Sequence, residues 1–372
     1  MKNLIFALSI LSGTIIGVGF FSLPFITAKV GILVMAAYFL VLGTIVILVH
    51  LFFGEVVLKT EGIHRIPGYV KIHLGKLAGN FAILFTLIGF PGGLLAYLII
   101  GGEFSRALFS PFFGGDNALY TTVYFILGAI LIYFGIKTIA KIEIIGLIVF
   151  FIIISVFFVW GWPELNLNNL LNFDLRYLFL PYGPILFSLW GAALIPEAKE
   201  ILGNSARSLK KIILVSIAIP AIIYFIFIVL VAGISGQNTS LEGIKGLIPF
   251  LGDKIVSLGL IFGIWATFTS YLALGLTFKK ILWHDLNIPK NISWLIACFA
   301  PFILFLIGFK DFIGIISFVG GVMLSIEGIL IILMYLAVKK FRRFSLPYFL
   351  TSFLIVIFIL GMIYEITHFL FK

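Results

Sequence analysis

The sequence predicts an all-α, polytopic membrane protein with about eleven transmembrane helices, arranged as two five-helix repeats of opposite orientation and one extra helix. Three observations support this prediction. The 372 residues are 62% hydrophobic and 11% charged, which is too little charge to cover a soluble protein of this length. Apolar runs of about 20 residues or more recur along the chain. Glycine and proline interrupt two of these runs, the first and the sixth.

The apolar runs are long enough to cross a bilayer if some of them tilt. They cover approximately residues 4–28, 31–57, 79–108, 118–136, 140–161, 178–202, 210–234, 254–283, 290–308, 312–338 and 345–370. The first run has no clear small-residue cleavage site, so we interpret it as a retained span. The polar segment from Lys59 to Gly79 is a candidate for a short interfacial helix. Because the connections are short, 1–372 is predicted to form a single transmembrane domain.

Lysine and arginine are distributed unevenly over the predicted loops. With a cytoplasmic N-terminus, 18 of the 25 basic residues lie on the inner side and 7 on the outer side. This bias predicts a cytoplasmic N-terminus and, with eleven spans, an extracytoplasmic C-terminus in the cell membrane. It also accounts for the net charge of +10 without a nucleic-acid partner. The lipid bilayer is therefore the expected large-scale partner, and the oligomeric state stays open.

The chain divides into two halves of nearly equal length. Spans 1–5 cover 4–161, spans 6–10 cover 178–338, and 345–370 is the extra helix. Five is an odd number, so the second half crosses the membrane in the opposite sense, as in an inverted repeat. The run Ser-Gly-Thr-Ile-Ile-Gly-Val-Gly-Phe-Phe-Ser-Leu-Pro at 12–24 breaks span 1, and Phe-Ser-Leu-Trp-Gly-Ala-Ala-Leu-Ile-Pro at 187–196 breaks span 6. Because broken helices are tolerated in lipid only where their backbone is buried or lines a cavity, the two breaks predict a binding site.

These motifs resemble the amino acid–polyamine–organocation superfamily, whose members share the LeuT-like five-plus-five inverted-repeat fold. The resemblance covers essentially the whole chain and is nearest to the amino acid/auxin permease branch and the aromatic amino acid permeases. It is carried by Gly13–Phe25, by Ala96–Glu103 in span 3, by the span 6 motif and by Ala266–Leu272 in span 8. It implies a secondary active transporter of neutral amino acids that works by alternating access, as an Na⁺ or H⁺ symporter. The alternatives are an amino-acid exchanger and a membrane sensor that binds an amino acid without net transport.

The two breaks offer a partner for each charge of an amino acid. Amide groups at the start of a half-helix suit the carboxylate, and we expect those of Ile16, Gly17, Val18 and Gly19 to bind it. Carbonyl groups at the end of a half-helix suit the ammonium, and we expect those of Ser12, Gly13, Phe187 and Ser188 to bind it. Tyr97, Trp190 and Gly191 complete the predicted substrate site. The alternative for Tyr97 and Trp190 is that these aromatic side chains only pack between helices. An aromatic pocket without charged side chains favours apolar or aromatic substrates.

The resemblance implies a sodium site in span 8. Hydroxyl groups of Thr269 and Ser270 would bind Na⁺ together with the carbonyl groups of Gly13, Ile16 and Ala266, since a hard cation favours oxygen ligands. The alternative is that the two hydroxyls bond only their own helix or a neighbouring one.

A proton is the other candidate for the coupling ion. Glu327 lies near the middle of span 10, where an ionisable residue is costly and therefore a candidate for function, and it departs from the family pattern. His50 is the other ionisable residue well inside a span, so a structural pairing of the two is the competing explanation. No cofactor or further metal is expected.

Four charged residues near the ends of spans are candidates for gates. Glu103 lies towards the outer end of span 3, and Glu197, Lys199 and Glu200 follow the span 6 break on its inner side. Solvated or interfacial helix ends are the alternative. A membrane enzyme is disfavoured because the chain has no nucleophile, zinc or phosphate-loop motif. The single cysteine, Cys298, excludes an internal disulfide and a cysteine-based metal cluster.

Overall fold

The computed structural model describes residues 2–135, 139–203, 205–339 and 346–371, and within these ranges the chain forms helices and no strand. The α-helices are α1 Lys2–Ile15, α2 Leu23–Val30, α3 Ile32–Lys59, α4 Ile66–Leu74, α5 Lys76–Phe113, α6 Asn117–Phe134, α7 Ile139–Gly161, α8 Tyr182–Leu189, α9 Ile195–Leu202, α10 Ala206–Ser235, α11 Ile248–Lys280, α12 Lys290–Leu306, α13 Phe312–Phe318, α14 Ser325–Lys339 and α15 Leu346–Leu370. Short 3₁₀ and π-helical turns connect several of them.

The number of spans fits the prediction. In the described part of the chain, seven helices are long and apolar enough to cross a membrane, and α1 and α2 form an eighth span bent by 42°. Three predicted spans remain. Spans 5 and 9 correspond to the shorter apolar helices Ile148–Glu164 and Lys290–Leu306, and span 6 corresponds to the interrupted pair α8 and α9. The all-α, multi-pass architecture with breaks in spans 1 and 6 is therefore confirmed. The assignment of 4–161 and 178–338 as the two repeats stays a prediction.

Glycines let the central helices approach one another closely. A β-carbon at Gly263 of α11 would lie 2.6 Å from the ring of Phe104 on α5, and one at Gly275 would lie 2.5 Å from Ile132 on α6. A β-carbon at Gly102 of α5 would overlap α6. Small residues at helix contacts are typical of membrane bundles, where close packing replaces the hydrophobic effect as the source of association. Spans 3 and 8 are thereby fixed next to each other as one wall of the interior.

Span 10 is a continuous helix with an irregular middle. α13 passes through a π-helical segment, Val319–Leu324, before α14 begins. Within this segment a β-carbon at Gly320 would overlap the backbone carbonyl of Gly183 in α8. Two backbones can approach this closely only where the side chain is hydrogen. The π-helical segment therefore holds the first half of span 6 directly against span 10.

The segment between spans 2 and 3 contains α4, as the sequence suggested. Its residues Ile66, Pro67, Tyr69 and Val70 are buried, and it packs against α5 and α14. It therefore covers the predicted inner end of the interior and is not a detached surface helix.

Candidate functional site

The first break separates α1 from α2. α1 ends at Ile15, and a single 3₁₀ turn, Gly19–Ser22, precedes α2. The amide of Ile16 still donates to the carbonyl of Ser12, and the amide of Gly17 donates to the carbonyl of Ile15, each at 2.8 Å. Two of the amides predicted to bind a carboxylate therefore already have acceptors, with which an arriving substrate would compete.

Three of the five residues of the predicted sodium site, Gly13, Ile16 and Ser270, bring oxygen atoms together where α1 meets α11. The Ser270 hydroxyl donates to the carbonyl of Gly13 at 3.2 Å and to that of Ile16 at 3.4 Å. The hydroxyl of Thr269 donates to the carbonyl of Ala266 at 3.3 Å. Both the interhelical and the intrahelical hydrogen bonds of the alternative interpretation are thus present. The oxygens of Gly13, Ile16 and Ser270 are of the kind that a hard monovalent cation prefers, whereas nothing brings those of Thr269 and Ala266 into the same cluster in the described residues.

The second break follows α8. Trp190 has an extended backbone, with φ −83° and ψ 122°, and a short 3₁₀ turn over Ala192–Leu194 leads into α9. The amide of Gly191, which the interruption releases from the helix, donates to Nε2 of His50 at 2.9 Å. A side chain of span 2 therefore satisfies a backbone group that would otherwise be left unpaired inside the membrane.

The two breaks are in direct contact. A β-carbon at Gly19 would lie 2.5 Å from the Ser188 hydroxyl oxygen and 2.9 Å from the ring of Phe187. A β-carbon at Gly191 would lie 2.9 Å from Ile15. Glycine leaves the space that lets each break pack against the other, and the pairing places backbone groups from both halves of the chain side by side.

A cavity of about 110 Å³ lies between spans 1, 3, 6, 8 and 10, next to the breaks. Among the predicted substrate residues, Tyr97, Phe187, Trp190 and Gly191 line it. Its wall also contains Thr14, Ile66, Ala82, Phe85, Thr86, Gly89, Phe90, Gly93, Ala192, Ala193, Leu274, Val319, Met323, Leu324, Ile326, Glu327 and Leu330. The other predicted residues, Ser12, Gly13, Ile16, Gly17, Val18, Gly19 and Ser188, are not among the lining residues.

Tyr97 separates the span 1 break from the cavity. Its hydroxyl occupies the space into which a β-carbon on Gly17 would point, and its side chain lines the cavity. In this conformation the cavity is therefore displaced from the backbone of span 1 towards spans 3 and 10.

The wall from span 10 was not predicted as part of the substrate site. Val319, Met323 and Leu330 contribute apolar surface, and Glu327 contributes a carboxylate. An oxygen of Glu327 accepts a hydrogen bond from the indole nitrogen of Trp190 at 2.7 Å. The acid predicted as a proton carrier is thus joined directly to the break in span 6. The signal available in the sequence was the acid itself.

Charged side chains connect the elements at the predicted inner end of the bundle. Arg65, the residue before α4, forms an ion pair with Glu197 of α9 at 2.5 Å. The ammonium of Lys199 donates to the carbonyls of Val57 at 2.7 Å and Thr60 at 3.1 Å, at the end of α3. Glu200 is exposed. Of the three candidates, Glu197 and Lys199 therefore tie the second half of span 6 to span 2 and α4.

The predicted outer end carries a second ion pair. The ammonium of Lys245 lies 2.9 Å from a carboxylate oxygen of Glu103 on α5 and 3.4 Å from one of Glu242. Each partner of the first pair is about one-third exposed, with side-chain exposures of 33% and 31%. Glu103 therefore bridges span 3 to the segment that precedes α11, on the side of the breaks opposite to Arg65.

Three comparisons with known proteins indicate the same fold and class of protein. The model of the tryptophan/tyrosine permease family matches residues 1–368. The tyrosine-specific transport system 1 of Haemophilus influenzae is 24% identical over 324 residues, which cover 81% of this chain and 80% of that protein. The crystal structure of MhsT in complex with L-phenylalanine superimposes with a TM-score of 0.71 at 14% identity, covering 96% of this chain and 98% of that one. The fold is thus LeuT-like, and the chain belongs to the tryptophan/tyrosine permease family and is an amino acid transporter, not an enzyme.

Proposed function

We propose that this protein is a secondary active transporter of tyrosine and tryptophan that works by alternating access in the cytoplasmic membrane. The observation that carries the proposal is the cavity beside the two breaks, which is lined mainly by apolar and aromatic side chains. Such a pocket suits an aromatic side chain. The breaks next to it carry backbone amides and carbonyls of the kind that an amino acid zwitterion needs when it leaves water, and the substrate would replace the internal acceptors that the amides of Ile16 and Gly17 have in this conformation. The family match and the tyrosine transport system among the relatives support the same substrate class.

Two ion sites compete for the coupling role in this proposal. The oxygen set around Ser270 supports Na⁺ coupling, and Glu327 supports H⁺ coupling because it lies against the cavity and touches span 6 through Trp190. Broader placement in the amino acid–polyamine–organocation superfamily, with the amino acid/auxin permeases as nearest branch, rests on the motifs of spans 1, 3, 6 and 8. The distribution of basic residues supports a cytoplasmic N-terminus and an extracytoplasmic C-terminus.

Uptake of labelled tyrosine and tryptophan into liposomes containing the purified protein tests the proposal, with sodium and proton gradients imposed separately. Uptake driven by sodium and lost in Ser270→Ala would assign coupling to the span 8 site. Uptake driven only by protons and lost in Glu327→Gln would assign it to span 10. Ser155→Ala is the matched control, since this exposed hydroxyl of α7 bonds only the carbonyl of Phe151 in its own helix.

Two results would contradict the proposal. If the protein exchanges internal for external tyrosine without net uptake, it is an exchanger and not a symporter. If the protein binds tyrosine but moves none across the membrane, it is a sensor and not a transporter.

A further inference from the structure

His50 lies well inside span 2, where the residue is 1% exposed. Its Nδ1 is 2.8 Å from the carbonyl oxygen of Val46, one turn earlier in α3. Its Nε2 is 2.9 Å from the amide nitrogen of Gly191 in the span 6 break. A carbonyl can only accept and an amide can only donate, so these two partners fix Nδ1 as the protonated nitrogen and Nε2 as the bare one. The arrangement requires a neutral imidazole.

The hydrogen bond from Gly191 is important for the shape of the break. Because the helix is interrupted after α8, this amide has to find an acceptor outside its own helix, and a buried amide without one is costly. The imidazole also meets the indole of Trp190 edge-on, with 5.0 Å between ring centroids and an angle of 75°. The nitrogen of the same indole donates to Glu327. Two consecutive residues of the break are therefore held by His50 from span 2 and by Glu327 from span 10.

Several ionisable side chains on the helices packed around His50 have partners elsewhere. Glu55, further along α3, forms ion pairs with Lys210 and Lys339. Glu197 of α9 pairs with Arg65, Lys199 donates to carbonyls at the end of α3, Tyr224 of α10 donates to the carbonyl of Ile15, and Tyr182 of α8 bonds Ser325. On α14, Glu327 is the ionisable group that shares a contact with His50, through Trp190.

We propose that His50 is a positioning residue that binds a proton, and that proton binding at Nε2 releases the span 6 break. The inference deepens the proposed transport of aromatic amino acids and rests on it. An imidazolium has two N–H donors, so a proton taken from the aqueous side onto Nε2 would face the Gly191 amide, which is also a donor. The hydrogen bond is then lost. Nε2 can hold either the proton or the hydrogen bond from Gly191, but not both. By linkage, the conformation in which the break has moved and this bond is lost therefore binds a proton more readily.

The test measures tyrosine binding to the purified full-length protein between pH 5 and 8. All variants carry Glu327→Gln, so that the remaining pH dependence does not come from this acid. In that background, lowering the pH should weaken binding by about five-fold or more, the factor that corresponds to losing one buried hydrogen bond. His50→Gln places an acceptor that does not titrate near Gly191, so its affinity should stay constant over this range. His50→Leu removes the acceptor and should bind weakly at every pH.

A matched control and a second readout keep the test decisive. His368→Gln makes the same exchange at an exposed position near the end of α15 and should keep the pH dependence. At one fixed pH, hydrogen–deuterium exchange of peptides containing Gly191 should be faster in His50→Leu than in the Glu327→Gln parent or in His50→Gln. A His50→Gln variant that retains the full pH dependence, or a His50→Leu variant with unchanged exchange at Gly191, would overturn the inference. If the unmodified protein binds neither tyrosine nor tryptophan, the proposed substrate is wrong, while the exchange measurement still tests His50.

Discussion

Replacing Gly17 with alanine tests the contact between the span 1 break and Tyr97. A β-carbon at this position would overlap the Tyr97 hydroxyl and would lie 3.1 Å from Cζ and 3.3 Å from Cε1 of the same ring. The backbone of Gly17 is outside the left-handed region, so alanine itself causes no backbone strain. The overlap involves the far end of one side chain, and the side chain can therefore move.

The direction of that movement determines what the substitution costs. Tyr97 lines the cavity, so a hydroxyl pushed away from span 1 by roughly 1 Å, the shift that restores normal contact distances, takes space from the substrate. Overpacking of this kind costs about 1–3 kcal/mol, which corresponds to a loss of affinity of about 5- to 150-fold. The midpoint of thermal unfolding should stay close to that of the unmodified protein, because the ring can move into the cavity and need not displace the packed core.

The assay is equilibrium binding of labelled tyrosine to Gly17→Ala, Tyr97→Phe and the double variant, with thermal unfolding measured on the same samples. Removing the hydroxyl makes room for the new methyl group, so the double variant should recover most of the affinity lost in Gly17→Ala, and the two changes should not be additive. Unchanged affinity in Gly17→Ala would refute the reasoning. So would a double variant that binds no better than Gly17→Ala, because the loss would then not arise from this contact.

Two further predictions concern stability. Gly320→Ala should destabilise the protein by about 1–3 kcal/mol, because the new methyl group would overlap the backbone of α8, which has no flexible end to move. Gly43→Ala is its control, since a β-carbon there meets no atom within 4 Å. Equal melting temperatures of the two variants would contradict this account. Glu365 of α15 is 3% exposed and accepts a hydrogen bond from the Gly183 amide at 3.2 Å. Glu365→Leu should therefore lower stability by about 1–3 kcal/mol through the unpaired amide, while Glu365→Gln, which keeps an acceptor, should lie closer to the unmodified protein in thermal unfolding.

The breaks in spans 1 and 6 could be predicted from the sequence because their causes are local. Glycine and proline weaken a helix locally, and although α5 stays helical through Pro91, the two motifs that did break stand at matching places in the two halves of the sequence. The structure places the interruptions after Ile15 and after Leu189, inside the two motifs that indicated them. The two span 8 hydroxyls are neighbours in the chain, but Ser270 bonds the carbonyls of α1 whereas Thr269 bonds its own helix, a difference that the sequence did not indicate.

The cavity wall from span 10 and the role of His50 could not be predicted because their causes are tertiary. The π-helical segment Val319–Leu324 arises where Gly320 packs against the backbone of another span, and its residues form an ordinary apolar run in the sequence. His50 and Gly191 are 141 positions apart. An ionisable residue in a span indicates that a partner exists, but the partner of His50 is a backbone amide, which no residue type marks. The position of Tyr97 against Gly17, which keeps the cavity away from span 1, depends on packing in the same way.

The two halves of span 6 are anchored in different parts of the molecule. α8 is fixed to span 10 by the contact of Gly183 with Gly320 and to α15 by Glu365. α9 is fixed to span 2 and α4 by Lys199 and by the pair of Glu197 with Arg65. A rotation of one group against the other keeps all these contacts only if the five residues 190–194 bend. Residues 190–194 therefore join two half-helices that are held by different neighbours, and any change in the angle between α8 and α9 has to be taken up by these five residues, directly beside the cavity.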